Sequence, residues 1–119
     1  MSMVSQELSG LDRIRTRFLH LLKERQANVA QHAMLAWESD DAATKRSNFQ
    51  EAQMTLHQIA GTAGSLGFGD LGQTARECED LIITYLDGPA FADNVLLNEI
   101  FTNLDAFVSK SQNLISHPS

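Results

Sequence analysis

One of the four histidines in the chain, His57, is followed on its own helical face by residues with almost no side chain. At about 3.6 residues per turn, Ala60, Gly61 and Gly64 lie one to two turns beyond it. Glycine inside a helix costs roughly 0.5–1 kcal/mol relative to alanine, so the two glycines suggest a requirement other than folding. A neutral imidazole nitrogen is a competent nucleophile when an electrophile can reach it. The pattern therefore indicates a nucleophilic histidine that something large approaches.

Other chemistries of histidine and of glycine-rich segments fit this sequence poorly. Metal binding is disfavoured because no histidine belongs to an i, i+4 pair or to a Glu-x-x-His spacing. The histidines in question are His20, His32, His57 and His117. Ser65 lacks a Gly-x-Ser-x-Gly motif, and no acidic residue that could orient a catalytic triad is evident. The run from Gly61 to Gly67 lacks the Lys followed by Ser or Thr of a phosphate-binding loop, so ATP is not expected as a phosphoryl source.

Length and composition bound the remaining possibilities. The chain has 119 residues, of which 43% are hydrophobic and 20% charged, so residues 1–119 are expected to form one folded domain. A net charge of −6, with nine scattered Lys and Arg residues, disfavours nucleic acid as a partner. The lone Cys78 and the absence of a membrane-length apolar run or a secretory signal favour a cytoplasmic protein with no membrane partner.

The elements that position His57 are predicted to be helices, because apolar residues recur at steps of three, four or seven. A long first helix is expected from about Ser5 to Trp37, with a stripe of Leu11, Ile14, Phe18, Leu22, Val29, Ala33 and Ala36. Asp40 and Asp41 can cap a second helix, whose core-facing residues are Phe49, Ala52, Leu56, Ile59, Ala63 and Leu66. At about 100° per residue, His57 lies roughly 130° from the centre of that stripe and is predicted to face outward.

Two further helices complete the prediction. Gly67 and Gly69 are expected to end the second helix with positive φ angles, and Asp70 with Gln73 resembles a capping pair for the third. The third helix has an apolar stripe of Leu71, Ala75, Cys78, Ile82 and Tyr85 and ends at Asp87-Gly88-Pro89. The fourth is expected to start near Pro89 or Asp93, to bury Leu97, Phe101, Leu104, Val108 and Ile115, and to end before Pro118. Short joints favour antiparallel neighbours, so the expected fold is all-α, an antiparallel up-down-up-down four-helix bundle with His57 exposed on the second long helix.

The residues around His57 resemble those of a known family. The pattern His57-x-Ile59-x-Gly61, followed by Gly64, Leu66-Gly67, Leu71, Ala75, Cys78 and Leu81, resembles the histidine-containing phosphotransfer (HPt) domain of multistep phosphorelays. The resemblance implies that His57 is a phosphoacceptor, which takes a phosphoryl group through Nε2 from the phospho-aspartate of a response-regulator receiver domain and later passes it on. It also implies a hybrid sensor kinase as a partner, Mg²⁺ in the receiver domain, and no cofactor or metal of the chain's own.

The resemblance further implies a surface around His57 on which a receiver domain docks. Its expected residues are Gln50, Gln53, Gln58, Ala60, Gly61 and Gly64, and the glycines make room. The family often has Lys at the position of Ala60, where it can neutralise phosphate charge. Arg76 is a candidate for that role, although an ordinary solvated helix residue explains it equally well. One histidine on one complete bundle makes a monomer the natural state.

Two related readings stay open. A non-catalytic helical docking module would bind a receiver or kinase without accepting phosphate, although nothing in the fold demands an imidazole at position 57. The dimerisation domain of a sensor kinase also carries a phosphorylatable histidine on a helical bundle. It fits less well because Gln58 stands where such kinases usually have an acidic residue, and because the sequence has no ATP-binding domain. Autokinase activity is therefore not expected.

Overall fold

Four α-helices and one short 3₁₀ turn make up the fold. The structure is a computed structural model that describes residues 3–88 and 94–117, and the side chains of residues 10–88 and 94–117. The helices are α1 (Met3–Glu38), α2 (Ala42–Ala63), α3 (Gly69–Asp87) and α4 (Asn94–Ser116), and the 3₁₀ turn Gly64–Leu66 follows α2. No helix in these ranges is long and apolar enough to cross a membrane. The predicted start of the fourth helix, at Pro89 or Asp93, falls on residues outside the described ranges. Its predicted end before Pro118 is confirmed, because α4 ends at Ser116.

The helices pack antiparallel to their neighbours in the chain. α1 and α3 each pack against both α2 and α4, so the four helices close a ring around one core. The contacts between α1 and α2 run in opposite directions along the two helices, since Arg15 bonds to Leu66 while His32 bonds to Asn48. This arrangement is an up-down-up-down four-helix bundle, so the predicted all-α fold is confirmed.

The helix that carries His57 begins at an N-cap residue, Asp41. The Asp41 carboxylate accepts hydrogen bonds from the Thr44 backbone N–H at 3.0 Å and from the Thr44 hydroxyl at 2.7 Å. A side-chain cap of this kind satisfies a backbone donor that the first helical turn leaves without a partner. The capping prediction is therefore confirmed for Asp41.

The same helix and its 3₁₀ turn end at Gly67. The φ angle of Gly67 is 90°, in the left-handed region where an L side chain is strained. The Phe68 N–H donates to the Ala63 carbonyl at 2.9 Å and the Gly67 N–H to the Gly64 carbonyl at 3.3 Å. These two bonds form a Schellman motif, which satisfies carbonyls at the helix end and turns the chain toward α3.

The core is built from the stripes predicted on α2 and α3. On α2 the fully buried residues are Phe49, Ala52, Leu56, Ile59 and Ala63. On α3 the buried stripe is Leu71, Ala75, Cys78, Ile82 and Tyr85, none of them more than 5% exposed. Each large apolar side chain buried in this way contributes roughly 1.5–3 kcal/mol to folding. The two helices beside the predicted site are therefore firmly held by the core.

Some predictions fail at the end of the bundle where α2 turns into α3. Ile14 is 54% exposed rather than buried. The adjacent Arg15 bonds to Leu66, which follows the end of α2, so this part of α1 already lies level with the end of α2. Gly69 does not have a positive φ angle and is instead the first residue of α3. Asp70 therefore lies inside the first turn, where it pairs with Lys110 of α4 at 3.0 Å rather than capping the helix.

The buried face of α4 is also centred differently from the prediction. Leu104 is buried as expected, but Leu97, Phe101, Val108 and Ile115 are only partly buried. The buried residues that the prediction missed are Ile100, Phe107 and Ser111. Because α4 packs against both α1 and α3, its most buried line lies between two contact edges, and the predicted stripe lies on one of them.

Candidate functional site

His57 projects from α2 into solvent. Its side chain is 74% exposed, whereas Leu56 beside it and Ile59 two residues further on are fully buried. The two buried side chains anchor the helix to the core immediately before and after the histidine. A reactive group on a rigid element of this kind is held in a fixed direction, which favours reaction with a partner that docks in one orientation.

The Nδ1 atom of His57 contacts a carboxylate from the neighbouring helix. Glu79 of α3 places its Oε2 2.8 Å from Nδ1, and the Glu79 side chain is only 10% exposed. The same Oε2 accepts a hydrogen bond from Gln53 Nε2 at 2.7 Å. A carboxylate only accepts hydrogen bonds, so Nδ1 carries the hydrogen in this contact, and in the neutral imidazole Nε2 then keeps its lone pair.

This tautomer presents Nε2 as the nucleophilic atom of the imidazole. A hydrogen bond from Nδ1 to a carboxylate fixes the orientation of the ring and the nitrogen that carries the hydrogen. When Nε2 forms a bond to an electrophile, the ring gains positive charge, and the Glu79 carboxylate already lies against it. The site therefore combines an exposed nucleophile with a buried acid that orients it.

Two glycines keep the space beyond His57 open. A β-carbon built on Gly61 or on Gly64 would have no atom within 4 Å, so internal packing does not require glycine at either position. Side chains on a helix lean toward its N-terminus, so a side chain at position 61 would lean over the imidazole one turn before it. The missing side chains thus clear the approach to Nε2.

A family comparison identifies the kind of domain to which this site belongs. The family model of the Hpt domain matches residues 13–110, which is more than three quarters of the chain. This chain belongs to the Hpt domain family. The matched range includes His57, Glu79 and both glycines of the site. No curated protein and no solved structure gives a significant match.

The residues predicted to form the docking surface of the Hpt domain do not all reach its surface. Those that are exposed are Gln50, Gln58, Gly61 and Gly64. Ala60 is only 8% exposed, contrary to the prediction, because it faces α3 where that helix has glycine at position 72. A β-carbon on Gly72 would lie 3.7 Å from the Ala60 carbonyl oxygen. Gln53 is half-buried and directs its amide to Glu79.

Arg76, the candidate counter-charge, lies on α3, which packs against α2, the helix that carries His57. It is exposed on α3 three residues before Glu79, and residues at this spacing lie on one side of a helix. The two ion pairs of the described residues join His57 to Glu79 and Lys110 to Asp70, so the Arg76 guanidinium is not used in either. A basic group that is not engaged in an ion pair is available to an incoming anion.

Glu79 is the residue of the Hpt site that the sequence patterns did not reveal. It lies on the apolar stripe of α3, four residues after Ala75 and three before Ile82. A glutamate is rarely buried unless it is paired. Its position within an apolar stripe is therefore the signal that could have identified Glu79 as a paired residue. Its partner could not be read from the same signal, because the pairing depends on how α2 and α3 face each other.

No group of three or more His, Cys, Asp or Glu side chains within the described ranges is arranged to hold a metal ion.

Proposed function

We propose that this Hpt domain carries a phosphoryl group on Nε2 of His57, accepting it from the phospho-aspartate of a receiver domain and passing it to another receiver. The observation that carries the proposal is the 2.8 Å contact between His57 Nδ1 and the largely buried Glu79 carboxylate. Burying a carboxylate costs free energy unless it is paired. A solvated histidine with no chemical role gives no reason to place an acid there.

The proposed transfer step needs no cofactor on this chain. The Nε2 lone pair attacks the phosphorus of the acyl phosphate, the N–P bond forms, and the P–O bond to the aspartyl oxygen breaks. The aspartate leaves as a carboxylate, and the imidazole becomes a cation whose Nδ1–H stays on Glu79. No proton has to leave the ring, so attack by the aspartate of the next receiver reverses the step. We expect Mg²⁺ in the receiver to balance the charge of the transferred oxygens.

The docking surface that we propose is the outer side of α2 around His57. Gln50 and Gln58 offer hydrogen-bonding side chains, and Gly61 and Gly64 allow the receiver to come close. Arg76 is the proposed counter-charge for the phosphoryl group, in place of the lysine that Ala60 replaces. Its side chain is long and exposed, so it can move toward a phosphate that arrives at Nε2.

The partners that we propose are response-regulator receiver domains and a hybrid sensor kinase that supplies the phosphoryl group through its own receiver. One bundle presents one complete site, which favours a monomer. We also propose that residues 1–119 act as a single module in the cytoplasm, because the lone Cys78 does not call for an oxidising compartment.

The direct test is to incubate the protein with each of a panel of phosphorylated receiver domains and measure acid-labile, base-stable phosphate on it. We expect label on the wild type and none on His57→Gln. His32→Gln is the matched control, because His32 also has Nδ1 bonded to a side chain, Asn48 Oδ1 at 2.8 Å, but is half-buried between α1 and α2. Label that persists on His57→Gln, or wild-type protein that no receiver labels, would refute the proposal.

The same variant distinguishes phosphotransfer from docking alone. If His57→Gln binds receivers and supports full signalling in cells, the protein acts as a docking module that does not accept phosphate. Incubation of the wild type with ATP alone should give no label, since the proposal assigns no kinase activity to this chain.

A further inference from the structure

Gln53 lies one helical turn before His57 on α2 and is bonded to the same carboxylate oxygen. Its Nε2 donates to Glu79 Oε2 at 2.7 Å, and His57 Nδ1 lies 2.8 Å from that oxygen. The amide and the imidazole, which both come from α2, thus hold one oxygen atom of a side chain from α3. Gln53 is half-buried, whereas Gln50 and Gln58 on the same helix are exposed.

A second donor restricts the Glu79 side chain more than a bond to His57 alone. A glutamate side chain has several rotatable bonds, so one hydrogen bond to an exposed imidazole leaves it free to adopt rotamers that face water. The second donor comes from a half-buried residue on a helix that is anchored by the core. Two donors on one oxygen select the rotamer in which Oε2 faces Nδ1.

We propose that Gln53 is a positioning residue for phosphotransfer: its amide holds the Glu79 carboxylate on His57 Nδ1 and thereby keeps Nε2 in the unprotonated, nucleophilic tautomer. The inference rests on the proposed function, and it reassigns Gln53 from the docking surface to the support of the reactive ring. A free imidazole favours the opposite tautomer, with hydrogen on Nε2, so the contact with Glu79 has to be maintained for Nε2 to stay available.

The first test reads the tautomer of His57 directly in the unphosphorylated protein. Nitrogen-15 NMR of the imidazole distinguishes hydrogen on Nδ1 from hydrogen on Nε2. We expect the Nδ1–H form in the wild type and a shift toward the Nε2–H form in Gln53→Met, which preserves the unbranched shape but removes the donor. Gln58→Met is the matched control, since it makes the same change at an exposed position of α2, and it should keep the wild-type tautomer.

The second test measures transfer from a phosphorylated receiver that labels the wild type. Gln53→Met should lower kcat about tenfold and leave KM unchanged, by analogy with groups that orient metal-binding histidines. A residue of the docking surface would instead raise KM. In a Glu79→Ala background, Gln53→Met should cause no further loss, because Gln53 acts only through the carboxylate.

Gln53→Ala serves as a second variant if Gln53→Met does not fold. A Gln53 variant that folds and retains both the wild-type tautomer and the wild-type kcat would overturn the inference, as would a further loss in the Glu79→Ala background. Failure of the proposed function is recognised separately. In that case no receiver labels the wild type, while the tautomer measurement still decides whether Gln53 positions the ring.

Discussion

Replacing Gly61 should separate the stability of the protein from its capacity to accept a phosphoryl group. A β-carbon at this position meets no atom within 4 Å, so neither alanine nor leucine is excluded by internal packing. The new side chain would lean toward the N-terminus of α2, which is the direction of His57. The same substitution therefore favours the helix and obstructs the partner.

The two effects have different magnitudes. Glycine to alanine inside a helix gains roughly 0.5–1 kcal/mol, which corresponds to an increase in Tm of about 2–5 °C for a domain of this size. Leucine has nearly the same helix propensity as alanine, so Gly61→Leu should be similarly stable. If the larger side chain displaces the receiver by about 1 Å, the transfer rate should fall on the order of a hundredfold.

The assay combines thermal unfolding with single-turnover transfer from a phosphorylated receiver. Gly61→Ala, Gly61→Leu and the control Gly10→Ala are compared with the wild type. Gly10 is also a helical glycine whose β-carbon would meet nothing within 4 Å, but it lies on α1 before Arg15, beyond the end of α2. The control should gain the same stability and transfer at the wild-type rate.

Two results would refute the steric reasoning for Gly61. Wild-type transfer rates in Gly61→Leu would show that the glycine does not provide clearance. Lower stability of Gly61→Ala than of the wild type would show that position 61 has a packing role, in which case a loss of transfer could not be assigned to the approach of the receiver.

Three further predictions concern the bundle that supports the site. Hydrogen bonds from the hydroxyl and the backbone N–H of Thr44 lower the pKa of Asp41 below its usual 3.8, so its capping contribution is fully present above that value and is lost as the pH falls through the lowered pKa. Asp41→Ala should lower Tm at pH 7, and its difference from the wild type should shrink as the pH falls below 3.8. A difference that stays constant throughout an acid titration would contradict this. Burial, with a smaller contribution from Glu77, raises the pKa of the Cys78 thiol to about 12. Iodoacetamide at pH 8 should therefore modify Cys78 only when the protein unfolds. Rapid labelling of the folded protein would contradict this prediction. The Ser111 hydroxyl is buried in the core with no hydrogen-bond partner among the described residues. Ser111→Ala should therefore raise the free energy of unfolding by about 1 kcal/mol in a denaturant titration. A lower free energy of unfolding would mean that the hydroxyl has a hydrogen-bond partner.

The helices α2 and α3 were the easiest to predict. The stripes of α2 and α3 are buried as their spacing indicated, and Asp41 caps α2 as its residue type suggested. The prediction for α4 was less accurate because its apolar residues come in adjacent pairs, such as Ile100 with Phe101 and Phe107 with Val108. The spacing does not show which member of each pair is more deeply buried. Ser111 is the clearest case, since a polar residue in the core interrupts any apolar pattern.

The candidate site was predictable where a single helix determines it. The exposure of His57 and the open space beside Gly61 and Gly64 follow from positions on α2 alone. The burial of Ala60 and the inward contact of Gln53 depend on α3 and were not predicted. Both involve the edge of α2 that meets α3, where one or two helical positions decide between surface and interior.

The sequence by itself determined that a histidine stands outside an anchored amphipathic helix with no side chains to obstruct it. The spacing of apolar residues and the positions of the glycines are local properties of the sequence. At 3.6 residues per turn they determine which residues share a face of the helix. Only the tertiary structure decided which nitrogen of that histidine contacts a carboxylate and which one faces away from it. The tautomer depends on Glu79, which is separated from His57 along the chain and reaches Nδ1 only because α2 and α3 pack antiparallel. A hydrogen bond acts over about 3 Å, so no pattern within one helix could reveal a partner supplied by another.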